Sequence, residues 1–337
     1  MVSIKDISAA CGVSVATVSK ALNNQKDVSD ATKARIKEVA KQMGYVPNSA
    51  SRSLKIKRTY NLGIVYDEES GRGLTHDFFA QVLDSFKHYA ENHGYDITFV
   101  NNNPHGSDRM TYLEKCRYRN FDGVMIACSE YENKQIQEVI DSEIPSVCID
   151  YSKEGKSSVM SDNAGGMRDL VKYVHSLGHR RIAYIHGTDS YVTRTRVRSF
   201  VSTCSELDIG LHDTYLMESA YMDTKSAYQA TQRLLALDRP PTCILYPDDI
   251  AVIGGLNCII MSGIIIGEEI SVAGYDGVPL GKYFDPQITT LEQDKVRIGS
   301  EAATQLISLI EDGDKAEERV IIVPGTVFKG GTAGRVK

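Results

Sequence analysis

Two hydrophobic rhythms meet near residue 60 of this chain, and no single core can serve both. Before that point apolar residues recur at helical spacing in short runs. Beyond it, short apolar strands alternate with amphipathic helices, the pattern of a parallel α/β architecture. A chain of 337 residues has room for one small core and a larger one. The expected fold is therefore a small all-α domain followed by a large α/β domain.

Charge divides at the same place. Residues 1–58 hold eleven bases against four acids, a balance of +7, which leaves −13 for the rest of a chain whose net charge is −6. A basic head on an acidic body is what a phosphate-binding module joined to a sensor would show. With 42% hydrophobic and 24% charged residues, no apolar run approaches a bilayer span. The opening Met1-Val2-Ser3-Ile4-Lys5-Asp6-Ile7 lacks the features of a secretory signal, so a cytoplasmic location and no membrane contact are expected. The seven cysteines contain no Cys-x-x-Cys pair and are expected to be reduced core thiols.

In the head, Ile4, Ile7 and Cys11 share one helical face, and Gly12 ends the run. Ser14 is a candidate N-cap for a helix from Val15 to Asn23 that buries Val18 and Leu22 and leaves Val15, Ala16, Ser19 and Lys20 opposite. A third helix begins near Ser29, carries Ile36, Val39, Ala40 and Met43 inward, and stops at Gly44. Two short helices joined by a glycine turn and braced by a third make a helix-turn-helix, although a plain three-helix bundle has the same spacing.

The runs Ile4-Lys5-Asp6-Ile7, Gly12-Val13-Ser14-Val15-Ala16-Thr17-Val18-Ser19, Tyr45-Val46-Pro47-Asn48 and Arg52-Ser53-Leu54 resemble the signature of the LacI/GalR family of regulators. The resemblance continues through Gly165, Leu177-Gly178-His179-Arg180-Arg181-Ile182-Ala183, Arg194-x-Arg196, Ile270-Ser271-Val272-Ala273-Gly274-Tyr275-Asp276 and Thr289-Thr290-Leu291. It implies a helix-turn-helix domain at 1–47, a hinge at 48–58 and a two-lobed, periplasmic-binding-protein-like effector and dimerisation domain at 59–337. Its first lobe spans about 60–161 and 292–322, its second about 162–291 and 323–332. The implied partners are double-stranded DNA with a pseudo-palindromic operator, a small effector and a second copy of the chain.

By that similarity Val15, Ala16 and Lys20 face base edges, with Ser14, Thr17 and Ser19 near phosphates. Packing alone is the competing account of Val15 and Ala16. Asn48, Arg52, Leu54 and Lys55 fall in the hinge, where the leucine would wedge into a minor groove.

In the large domain Asn61 to Tyr66, Ile97 to Asn101, Gly123 to Ala127, Ser146 to Asp150, Arg181 to Gly187, Cys243 to Tyr246 and Ser271 to Tyr275 read as strands. A helix opens at Phe79-Ala80-Gln81-Val82-Leu83 and ends near Gly94. Sugars need carboxylates and guanidiniums for paired hydrogen bonds, and an aromatic face for the ring's C–H side. The effector contacts implied by the resemblance are Asp150, Arg196, Asp248 and Asp276, with Phe78, Phe79 and Gln293 beside them. Each aspartate would serve equally as a helix N-cap, and either phenylalanine as core. With no tryptophan in the chain, a stacking platform falls to phenylalanine or to tyrosines such as Tyr191 and Tyr221.

The function expected is sequence-specific regulation, a repressor of carbohydrate genes responding to a sugar, with a purine or other metabolite as the alternative. An enzyme or a two-lobed transport protein is the rival from another class. Asp248-Asp249 with Asp276 imitates paired carboxylates, but no nucleophile elbow, phosphate loop or dinucleotide fingerprint accompanies them, and Gly71-Arg72-Gly73 is too short a glycine signal. His175 and His179 have metal-ligand spacing, yet Gly178 interrupts the helix between them. No cofactor or metal is expected. The end of the chain shows no heptads, so a dimer without a C-terminal coiled coil is expected.

Overall fold

A computed structural model describes residues 2–46, 58–67, 71–101, 110–128 and 130–336. The hinge candidates Asn48, Arg52, Leu54 and Lys55 lie outside the described residues. The chain folds as two compact units, Met1–Thr59 and Tyr60–Lys337.

In the first unit α1 (Ile4–Cys11), α2 (Val15–Leu22) and α3 (Asp30–Gln42) enclose a core of Ile7, Cys11, Val18, Ala21, Val28, Ile36 and Ala40. A capping box between Ser3 and Asp6 starts α1. Gly12 ends it at φ +63°, a left-handed backbone that costs a glycine little. The Ser14 hydroxyl accepts from the Thr17 amide at 3.1 Å and so starts α2 at once. The inward place expected for Leu22 belongs to Ala21, which stands three residues after Val18, and Leu22 is half-buried at the edge. The Arg35 guanidinium donates to the Cys11 carbonyl, tying α3 to the turn.

The second unit holds β1 (Asn61–Asp67), α4 (Asp77–Asn92), β2 (Asp96–Phe99), α5 (Tyr112–Arg119), β3 (Gly123–Cys128), α6 (Lys134–Asp141), β4 (Ser146–Ile149) and β5 (Ser157–Ser161). It continues with α7 (Asn163–Ser176), β6 (Ile182–His186), α8 (Tyr191–Glu206), β7 (Leu216–Glu218), α9 (Thr224–Leu235), β8 (Cys243–Leu245), α10 (Asp249–Met261) and β9 (Ser271–Asp276). Last come β10 (Thr289–Glu292), α11 (Lys295–Asp312), β11 (Val320–Val323) and β12 (Thr326–Phe328).

These strands form two six-stranded sheets, ordered β11-β5-β4-β3-β1-β2 and β12-β10-β9-β8-β6-β7. Pairing is parallel throughout except between β10 and β12. The chain leaves the first sheet after β5, returns after β10 as α11 and β11, and crosses a last time between Val323 and Thr326 to add β12 to the second sheet.

Helices cover both faces of each sheet, which is why the strands read as apolar runs rather than alternations. On one face of the first sheet Leu62, Ile64 and Met125 pack with Phe86 and Leu306; on the other Val65, Val124 and Ile126 pack with Ile136 and Val139. α4 and α11 meet at Gly299, where a Cβ would come within 2.3 Å of the Val82 carbonyl oxygen. Buried Ser157 and Ser158 make β5 unlike the apolar strands, and Ser157 is held by Gln305 at 3.0 Å and by Glu318.

Candidate functional site

In both sheets the strand order reverses beside the first strand, between β1 and β3 in one and β6 and β8 in the other. Crevices open at such switch points, at the carboxyl ends of the strands. The cavity of about 620 Å³ lies there, between the two lobes, lined by Asp276 at the end of β9 and by residues that come after β1, β3, β4, β6, β7 and β10. Asp150, Arg196, Asp276 and Gln293 form its polar part, and Phe78, Phe79, Tyr131, Tyr151, Tyr191 and Tyr221 its aromatic part.

Backbone strain aims part of this wall. Asp150 comes directly after β4 at φ +54°, Asp276 ends β9 at φ +96° and Met222 lies at φ +55°. A left-handed backbone disfavours residues with a Cβ by about 1 to 3 kcal/mol, and such strain gathers at functional sites.

A buried chain of hydrogen bonds joins the lobes behind the polar wall. Asp150 Oδ1 accepts from the Ser161 amide at 2.7 Å and from Asn163 Nδ2 at 3.4 Å. Asn163 Oδ1 accepts from Arg196 Nε at 2.7 Å, and Arg196 Nη1 donates to the Pro247 carbonyl at 3.0 Å. The guanidinium lies over Tyr275, 3.5 Å from the ring centroid. Asp276 Oδ1 accepts from Gln293 Nε2 at 2.5 Å, and Lys295 Nζ donates to the Asp276 carbonyl at 2.6 Å. Burial raises the Asp150 carboxyl to about 6, against the pull of the Ser161 amide and Arg196 and with Asp276 adding to it. Burial opposes the charge of Arg196, yet Tyr275, Tyr221 and Asp276 outweigh it and hold the guanidinium above its ordinary value.

The aromatic wall is itself braced. Tyr131 and Tyr151 stack at 4.2 Å with 4° between their planes, and Tyr191 meets Tyr151 edge-on at 6.1 Å. The Tyr131 hydroxyl accepts from the Ile149 amide at 3.1 Å and reaches the Ile149 carbonyl at 2.7 Å, which fixes the ring across the ends of β3 and β4. On the far side Phe79 packs edge-on against Tyr66, His76 and Phe78. Two acceptor carboxylates, a guanidinium, a side-chain amide and flat apolar walls suit a polyhydroxylated ring or a flat heterocycle.

Of the expected contacts, Phe78, Phe79, Asp150, Arg196, Asp276 and Gln293 come together in this wall. Asp248 is the correction: it is buried outside the lining, with Oδ1 accepting from the Ala251 amide at 2.8 Å and Oδ2 from the Met222 amide at 2.7 Å. The start of α10 immediately after it claims the carboxylate as an N-cap. Its neighbour Asp249 is buried too and accepts from the Val278 amide at 2.7 Å, so the acidic pair does not face the cavity as a catalytic dyad would. His179 sits between Thr242 Oγ1 at 3.0 Å and the Gly334 carbonyl at 3.1 Å, a structural joint rather than half of a metal site. Sequence reasoning missed Tyr131, Tyr151 and His76, since only strand pairing brings them to one place.

In the first unit α2 presents its N-terminal turn outward. Ser14, Val15 and Ala16 are exposed, Val15 at 44% despite its apolar side chain. Packing alone therefore does not account for Val15 and Ala16. Thr17 and Ser19 are half-buried, the Thr17 hydroxyl lying 2.8 Å from that of Ser14. Lys20 pairs with Asp27 in contact with solvent.

Two family models match the chain: "Bacterial regulatory proteins, lacI family" over residues 3–48 and "Periplasmic binding protein-like domain" over 171–333. The transcriptional repressor PurR of Edwardsiella ictaluri is 30% identical over 333 residues, covering 97% of this chain and 96% of that protein. The probable repressor ExuR of Bacillus subtilis is 29% identical, covering 95% of each. Among solved structures, a lac repressor dimer bound to operator and the anti-inducer ONPF superposes with a TM-score of 0.85 at 23% identity, over 98% of each chain. A complex of the regulator CelR with cellobiose superposes with a TM-score of 0.71 at 22% identity, over 99% of this chain and 100% of that one.

Proposed function

This chain belongs to the lacI family of bacterial regulatory proteins, and on that premise we propose that it is a cytoplasmic, homodimeric repressor of carbohydrate genes whose effector is a small sugar. The observation that carries the sugar is the wall in which Asp150, Arg196, Asp276 and Gln293 converge beside braced aromatic rings. Neighbouring hydroxyls pair with a carboxylate and a guanidinium, and a ring's C–H face lies on an aromatic one. In this reading the polar residues bind and the network through Asn163 carries lobe closure toward the DNA-binding head. The reading involves no catalysis: Asp248 accepts from the Met222 and Ala251 amides, Asp249 accepts from the Val278 amide, and neither lines the cavity.

Val15 and Ala16 would touch thymine methyls and Lys20 a guanine edge once released from Asp27, while Ser14, Thr17 and Ser19 meet phosphates. By the family resemblance Leu54 would be the minor-groove wedge, and Asn48, Arg52 and Lys55 would also contact DNA. A thermal-shift panel of monosaccharides, disaccharides and purines tests the effector class, since a ligand selective for the folded state raises the midpoint. The expected result is a rise with a sugar that Asp276→Asn loses. A purine is the second reading, favoured by the tyrosine stack, and a rise with purines alone would replace the sugar by it.

A further inference from the structure

Gly71-Arg72-Gly73 belongs to the loop between β1 and α4, in the first lobe, and it reaches the second lobe. Arg72 Nη2 donates to the Met222 carbonyl at 2.9 Å, and Met222 lines the cavity. Both ends of this contact are built. On the first lobe Gly71 and Gly73 take φ +71° and +55°, so the arginine stands on a turn that residues with a Cβ would strain. The Arg72 carbonyl accepts from the Thr75 amide at 3.1 Å and the Thr75 hydroxyl at 2.8 Å, and the Tyr66 hydroxyl donates to the Gly73 carbonyl at 2.7 Å. On the second lobe Met222 has a left-handed backbone, and its amide is held by the buried carboxylate of Asp248.

We propose that Arg72 is a latch between the lobes, a positioning residue that fastens the mouth of the cavity by gripping the carbonyl of Met222, a residue whose amide Asp248 holds. Regulation of the cavity is what it adds, and it rests on the reading of that cavity as the effector site. Asp248 thus acts on the effector at one remove, through Met222. Arg72 is exposed, so the latch is a single charge-assisted hydrogen bond in contact with water, strong enough to bias lobe closure and weak enough to release. Removing it raises the open-to-closed ratio about fivefold, roughly 1 kcal/mol.

The test needs no effector. Nitroxides at Glu138→Cys on α6 and Ser205→Cys on α8, both exposed, report the distance between lobes by pulsed dipolar spectroscopy in the full chain diluted with unlabelled protein. Cys11, Cys116, Cys148, Cys204, Cys243 and Cys258 are buried, which favours labelling at the new positions. Arg72→Ala is expected to move weight toward longer distances by that fivefold ratio, and Arg72→Lys, which keeps a cationic donor, to recover most of the closed population. An Arg72→Ala distribution that overlays the wild type overturns the latch, as does an Arg72→Lys distribution as open as that of Arg72→Ala. A latch that behaves as described in a protein whose midpoint no sugar or purine moves would instead sink the effector reading alone.

Discussion

Arg196 ties several parts of the cavity wall together: it bonds Asn163, bonds the Pro247 carbonyl and covers Tyr275 while almost wholly buried. Arg196→Ala is therefore expected to abolish the effector response and also to destabilise the second unit by about 3 kcal/mol, because it strands buried acceptors. Chemical denaturation of the full chain checks the second effect, and Asp276→Asn separates loss of response from loss of fold. The Asp150 carboxyl, raised to about 6 from an ordinary 3.8, binds its proton more tightly in the folded state. Its contribution to stability hence grows as pH falls from above 6 toward 3.8, while its ability to accept two sugar hydroxyls fades over the same range. Thermal midpoints at about pH 7.5 and about pH 5 should rise more on acidification for the wild type than for Asp150→Asn. A gap between them that does not change with pH would contradict this. Asp150, Asp248 and Asp276 look alike in sequence, each at or soon after the end of an apolar strand; the next element along the chain separates them. A helix begins directly after Asp248 and takes its carboxylate, whereas none begins directly after the other two. That competition between capping and binding is invisible until the helix start is known to the residue.

Among the elements, helix periodicity was legible in α1, α2, α3 and α4, where one face is apolar, though the equally one-sided α6 was not read, and several strands were legible where both faces are buried in aliphatic residues. β5 was not, because Ser157, Ser158 and Ser161 hide a fully buried strand behind a polar composition. Its interior position depends on Gln305 and Glu318, more than a hundred residues away in the chain. The tyrosine stack was missed for a similar reason, since no period links 131 and 151 and only the pairing of β3 with β4 aligns them. The close contact of α4 with α11 gives an element-scale prediction. Gly299→Ala would place a Cβ against the Val82 backbone and Ser85, neither of which is a flexible side-chain end. A loss of about 2 kcal/mol and a lowered midpoint are expected, because overpacking forces the two helices apart. An unchanged midpoint would mean that the helices yield without cost.

Across the whole molecule, three crossings of the chain between lobes make a hinge that no linear division of the sequence reveals, although family resemblance implied one. α11 leaves the second sheet beside Asp276 and Gln293 and packs in the core of the first lobe, so movement at the cavity is tied to the first lobe by continuous chain. The +7 balance of residues 1–58 adds a separate expectation for DNA: affinity falling steeply with salt, by roughly a hundredfold or more between 50 and 200 mM in a dimer. Both halves of the account meet in one titration. A genomic fragment selected by the full chain is bound at fixed salt, with and without the sugar that most raises the thermal midpoint. We expect the dissociation constant to change at least tenfold with the sugar, and the change to vanish in Asp276→Asn while sugar-free binding stays intact. Equal affinity with and without the sugar, at concentrations that saturate the thermal shift, would contradict a cavity that governs the DNA-binding head.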